Sequence, residues 1–266
     1  MASDDSFDSR DFKDKKRKTE MESTSIHNFP LKHGCEDNWS WSNAHRSYEV
    51  NICGTNGTVA HFHPNWSKGT AGVRGIRPLN NGRYYWELQL SERIFGTSMM
   101  FGIGTEKTRL HADSFINLLG EDTNSWGLSH KGVLWHGGVA LMYTKRFKEN
   151  TPTTIGILFN GIEGTLTYYK DGVCLGVAFS GLDKVKEPLY PIICSTAAKT
   201  EMTLCNMRRD FSNLQDRCRA ELVKHINKRS DVSCLHIPRI LRTYLLEGMK
   251  EKTYWRQVDN DNTYNL

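Results

Sequence analysis

The chain has 266 residues, 38% of them apolar and 11% aromatic, and a formal net charge of +5. That is enough for one sizeable domain with a true core plus an accessory piece. It excludes several classes. No apolar run approaches the roughly 18 residues of a membrane span, and the opening MASDDSFDSR has no apolar stretch that could serve as a secretory signal. No basic groove with interleaved aromatics favours nucleic acid. The expected compartment is therefore the cytoplasm, the nucleus or both, with no membrane and no nucleic acid as partner.

In chain order, residues 1–30 are polar and charged and read as a disordered segment. Its basic run KDKKRK, Lys13 to Lys18, reads equally as a nuclear import address or as a solvated tail. Residues 31–207 follow as a β domain, dense in glycine, aromatics and short alternating runs. YYWELQL (Tyr84 to Leu90), MMFGIG (Met99 to Gly104) and TLTYYKDGVCLGVAF (Thr165 to Phe179) are its clearest strands. In the last, Asp171-Gly172 can take the positive φ values of a tight hairpin turn. GTNGT and GTAGVRG read as turns of a sandwich, and Phe115 to Leu119 as a short helical turn. No βαβ alternation is present, so the expected class is mostly β, an antiparallel sandwich.

After Met207 the period changes to that of a helix. Phe211, Leu214, Cys218, Leu222 and Ile226 recur at three- and four-residue steps along one face. Ser212 and Gln215 form an S-x-x-Q capping box ahead of them. The loop NKRSDVSC separates this helix from a second one, led by Pro238, carrying Ile240, Leu241, Tyr244 and Leu245, and stopped at Gly248. Residues 208–249 thus form a small helical appendage, and 250–266 a polar tail.

Candidate chemistry is sparse. His61 and His63 flank Phe62 and would share a strand face, yet no third ligand accompanies them, so packed histidines are the preferred reading over a metal site. Glu121-Asp122 beside Gly120 reads as a turn. Seven cysteines, with no C-x-x-C pair, read as thiols in a reducing compartment, and Cys194 within IICST as an inert one. Trp86, Trp126, Phe159 and Tyr168 read as core. No catalytic set, metal or cofactor is expected.

HPNWSKGTAGVRG, YYWELQL, GTSMMFGIGT, LLGEDTNSWGLS, GTLTYYKDGVCLGVAF and LYPIICSTAA together resemble a SPRY (B30.2) domain, and SNLQDRCRAELVKHI with LHIPRILRTYLL resembles a SOCS box. In this order the pair resembles the SPRY domain-containing SOCS box proteins, in particular a divergent branch of that family. The resemblance implies a bent antiparallel β-sandwich that holds a short peptide of a protein substrate. It also implies an appendage that recruits elongin C, elongin B and cullin-5 with its RING protein, so that the chain is the non-catalytic receptor of a ubiquitin ligase serving proteasomal degradation. Leu214 and Cys218 match the elongin C anchors, with Leu222 beside them. Leu235, Ile237, Pro238, Tyr244 and Leu245 match the cullin-selecting segment, where His236 replaces a proline. For the asparagine-containing peptides that relatives bind, the matching positions are Pro64, Thr97, Phe115, Leu118 and Gly120. There Thr97 and the Gly120 backbone would bond an amide, while Phe115 and Leu118 wall the pocket. Phe62 stands where relatives have arginine, and Ala197 where they have tryptophan. Two alternatives remain at this level: a SPRY peptide-binding adaptor or scaffold outside any ligase, and a metal-dependent hydrolase centred on His61 and His63.

Overall fold

The computed structural model describes residues 30–31, 34–79, 82–211, 214–226, 228–246 and 249. The capping residue Ser212, the stop Gly248, the Lys13–Lys18 run and both outer tails lie outside them.

Among the described residues sixteen strands, β1 (Cys35–Glu36) to β16 (Thr200–Asp210), form two antiparallel sheets. One sheet runs β14 (Val173–Phe179), β13 (Thr165–Lys170), β12 (Thr153–Asn160), β6 (Arg83–Leu90), β16, β4 (Val59–Phe62) and β3 (Val50–Cys53), with β1 also on β16. The other runs β11 (Val139–Met142), β10 (Val133–His136), β9 (Ser125–Ser129), β7 (Met99–Gly104), β15 (Tyr190–Ser195), β5 (Thr70–Gly75) and β2 (Trp41–Arg46), with β8 (His111–Ala112) on β5.

Period-2 alternation decides what each strand buries. Trp86 and Leu88 of β6, Ile155 and Ile157 of β12, and Leu166 and Tyr168 of β13 meet Phe101 and Ile103 of β7 and Trp126 and Leu128 of β9 in one core between the sheets. The Tyr168 hydroxyl crosses the gap to donate to the Phe101 carbonyl at 2.9 Å, which satisfies a polar group that burial would otherwise penalise. The outward faces are not always wet. Met100, Ile192 and Cys194 face outward from their sheet, and Ala112, Leu118 and Leu119 cover them as a second, smaller core. Burial there pushes the Cys194 thiol up to about 12, consistent with an inert sulfur.

The hairpin at Asp171-Gly172 forms as expected, with φ of 50° and 79° and Lys170 paired to Val173. Three local expectations fail. GTAGVRG is no turn: Thr70–Gly75 is the wholly buried β5, because a strand flanked by both cores tolerates small residues on either face. Phe115 to Leu119 is irregular. The Thr70 hydroxyl oxygen lies 2.9 Å and 2.7 Å from the Ser114 and Ile116 carbonyls and accepts from the Ile116 N–H, which holds this segment out of a helical turn. NKRSDVSC contains a helix, as described next.

The appendage comprises α1 (Leu214–His225), α2 (Arg229–Ser233) and a third helix, α3, over residues 239–246. In α2 the Asp231 carboxylate accepts from the Lys228 N–H at 3.0 Å, capping the first turn, while Val232 is fully buried. Val223, Val232, Leu245 and Met249, joined by Ile226, Ile237 and Leu246, make a third core separate from both sandwich cores. The Arg219 guanidinium sits 4.2 Å from the Tyr244 ring centroid, tying α1 to α3.

Candidate functional site

Two surfaces have the makings of interaction sites, one on the sandwich and one on the appendage. On the sandwich, a cleft of about 360 Å³ lies over the second core. Thr97 of the β6–β7 loop, Phe115 of the β8–β9 segment and Trp135 of β10 line it, with Glu121, Lys131 and Val133. Phe115 is 49% exposed, so a large aromatic stands open in a concave site. Glu121 pairs with Arg109 at 2.6 Å.

Of the five positions expected to hold a peptide, Thr97 and Phe115 line this cleft together. The other three are not part of its lining. Leu118 is buried in the second core and supports the floor from beneath. Gly120 donates its N–H to Ser125 Oγ at 2.9 Å and accepts from Gly138 N–H at 2.8 Å, so its backbone is already engaged. Its φ of 78° and the 2.2 Å that would separate a Cβ from the Trp135 carbonyl explain why glycine is needed there. Pro64, just past β4, is half-buried and not part of the lining. Phe62 and Ala197 are both buried in the main core, so in this chain they act on packing and offer no surface to a ligand.

Lys131, Val133 and Trp135 are among the lining residues that sequence reasoning missed. The signal was present in SHKGVLWHGGVALMY: Lys131-Gly132 and Gly137-Gly138 are turn dipeptides between apolar runs, a hairpin pattern that places Trp135 on a strand.

His61 and His63 do not share a face. His63 takes φ of 47°, which breaks the strand's alternation, and is fully buried with Nε2 3.0 Å from the Ser195 carbonyl, whereas His61 is half-buried on β4. Among the described residues no group of three or more His, Cys, Asp or Glu side chains is placed to hold a metal ion.

On the appendage, α1 divides its apolar residues between two sides. At about 100° per residue, Arg219, Val223 and Ile226 centre roughly 105° around the helix from Leu214, Cys218 and Leu222. The first set faces the third core; the second faces solvent, with Leu214 75% and Leu222 54% exposed and Cys218 exposed between them. The one apolar stripe expected from the sequence is thus two, with Ile226 on the buried side. Leu235 and Pro238 are exposed, as are Ile240 and Leu241 of α3. Leu245, 5% exposed, and Ile237 belong to the third core, and Tyr244 is taken up by Arg219. These three stabilise the appendage from within, and the exposed apolar surface of this region comes from Leu235, Ile240 and Leu241.

A two-sheet antiparallel sandwich with an interstrand cleft defines the class. Residues 83–207 match the family model described as the SPRY domain. The chain is similar to SPRY domain-containing SOCS box proteins. It is 37% identical over 208 residues to SPRY domain-containing SOCS box protein 3 of Xenopus tropicalis, covering 75% of this chain and 56% of the relative. It is 27% identical over 225 residues to SPRY domain-containing SOCS box protein 1 of Bos taurus, covering 78% of this chain and 80% of that one. The chain therefore spans little more than half the length of the first of these relatives. The SPRY domain of human HERC1 superposes with a TM-score of 0.50 at 16% identity, covering 63% of this chain and 98% of that one, a likeness of fold.

Proposed function

We propose that this chain is the substrate receptor of a ubiquitin ligase. Its sandwich binds a short peptide of a target protein at the cleft, and its appendage docks on elongin C and, through it, on elongin B and cullin-5 with its RING protein. The observation that carries this reading is the exposed Leu214–Cys218–Leu222 stripe on a helix whose other side is already seated on its own core. A stripe of that kind suits the helix-in-groove mode, in which a few apolar anchors enter a partner's groove. The names of the relatives support the same assignment. Residues 31–207 are the receptor domain and 208–249 the SOCS box in this scheme.

The receptor's part in the reaction is positional. It holds the target's lysine near the charged ubiquitin carrier, a proximity effect that asks no side chain of this chain to touch the bond being made. The site of action is the cytoplasm, the nucleus or both.

The test is a titration of the purified chain against the elongin B–elongin C complex, beside a Leu214→Glu/Cys218→Asp variant. Both positions are exposed, so the variant should melt like the wild type. Tight binding lost only in the variant is the expected result. A folded wild type that does not bind would leave a peptide-binding adaptor outside any ligase.

A further inference from the structure

The cleft continues past its lining, and the continuation has a defined chemistry. Strands β10 and β11 pair with Val133 opposite Met142 and Trp135 opposite Ala140. Directly opposed residues point to the same side of a sheet. Val133 and Trp135 line the cleft, so Met142 and Ala140 stand on that same face and extend its apolar floor across β11. Met142 is 71% exposed there, and β11 is the outermost strand of its sheet. An uncharged edge strand with a large exposed side chain is uncommon unless something covers it.

Charge marks the near end of this platform. Glu121 is engaged by Arg109, whereas Lys131 has no carboxylate partner within ion-pair distance among the described residues. Lys131 is held in place by its turn. Its N–H donates to Ser129 Oγ at 3.2 Å, Gly132 takes φ of 81°, and the Gly132 carbonyl accepts from both the Tyr143 and Thr144 N–H groups at 3.0 Å. The backbone that carries this cation is thus fixed about two residues along from the Val133–Met142 pair, roughly 7 Å at strand spacing.

From this we infer that the cleft selects an extended peptide carrying a carboxylate side chain for Lys131 and a large apolar side chain, one to three positions away, for the Val133–Trp135–Met142 platform. The inference rests on the receptor reading of the cleft and replaces the arginine and tryptophan positions of relatives, which in this chain are the buried Phe62 and Ala197, with Lys131 and Met142 as the residues that set specificity. Methionine suits a platform that must accept more than one apolar shape.

The test is a positional-scanning library of synthetic peptides presented to the full chain as wild type, Lys131→Glu and Met142→Lys, each checked by thermal melting. The wild type should enrich Asp or Glu at one position with Leu, Ile, Met or Phe close by, and binding should weaken as salt rises. Lys131→Glu should lower affinity for that peptide roughly tenfold and turn the acidic preference to Lys or Arg while keeping the apolar one. Met142→Lys should lose the apolar preference and keep the acidic one. Wild-type peptides without an acidic position, or a Lys131→Glu profile identical to wild type, overturn the inference alone. No peptide bound by any folded protein overturns the receptor reading of the cleft with it, while elongin binding through α1 is read separately.

Discussion

The sandwich and the appendage treat apolar residues in opposite ways. In the sandwich, nearly every large strand residue on an inward face is buried, and its outward faces are partly closed by a second core. The appendage buries a handful of residues and leaves Leu214, Leu222, Leu235, Ile240 and Leu241 exposed. A module with so small a core is marginal by itself and gains from a partner that covers its surface. Under the proposed reading the contrast separates two kinds of interaction surface: in the sandwich, loops and one edge, and in the appendage, the exposed apolar residues of its helices and of the segment between them.

The comparison breaks first at the sandwich core. Trp86, edge-on to Trp39 with centroids 6.0 Å apart, is almost fully buried. Trp86→Ala should cost about 3–5 kcal/mol by leaving a cavity between sheets that cannot collapse. Urea unfolding followed by fluorescence of the remaining tryptophans measures it, and a loss under about 1 kcal/mol would show that the sandwich is less tightly packed than its burial indicates.

The appendage should answer to a different residue set. Leu245→Ala, in the third core, should cost that module about 2 kcal/mol, lowering the far-UV helical signal and the affinity for elongin B–elongin C. The sandwich transition should stay where it is. Leu222→Ala, exposed on the other side of α1, should change elongin affinity and neither transition. If Leu245→Ala shifted the sandwich transition, the appendage would be part of one folding unit with it.

How much of this was readable beforehand follows from what each pattern encodes. Strands β6, β7, β13 and β14 were readable because two-residue alternation and the Asp171-Gly172 turn are local signals. The roles of Leu118, Gly120, Phe62 and Leu245 were not, since each depends on which element packs over it: the 113–120 segment over β7 and β15, one sheet over the other, α3 over α1. Lys131 and Trp135 escaped for the converse reason. Their exposure on a cleft comes from the β9–β10 turn meeting a segment distant in sequence, and no periodicity reports that.

Gly120 tests the link between fold and cleft. Gly120→Ala would place a methyl against the Trp135 carbonyl and a side chain at positive φ, at a cost of about 1–3 kcal/mol. β10 would have to shift, so peptide affinity should fall more than the melting temperature alone implies. Unaltered peptide binding in the Ala variant would mean that Trp135 is not a working wall.

The smallest effect is electrostatic and again separates the two regions. His130 of the sandwich is fully buried, with Nδ1 3.3 Å from the Met99 carbonyl. Burial, assisted by Lys131 and Arg146, holds its pKa below the usual 6.5. The native state therefore takes a proton less readily than the unfolded chain, and stability rises with pH between the lowered pKa and about 6.5. The sandwich should lose up to about 1 kcal/mol as pH falls from about 7.5 to about 5.5, the loss setting in below 6.5 and levelling off once pH passes the folded value. His130→Asn, which keeps a donor toward the Met99 carbonyl, should flatten that slope whatever it does to absolute stability. Urea unfolding of both proteins at the two pH values compares the slopes, and equal slopes would assign the pH dependence to other groups of the sandwich.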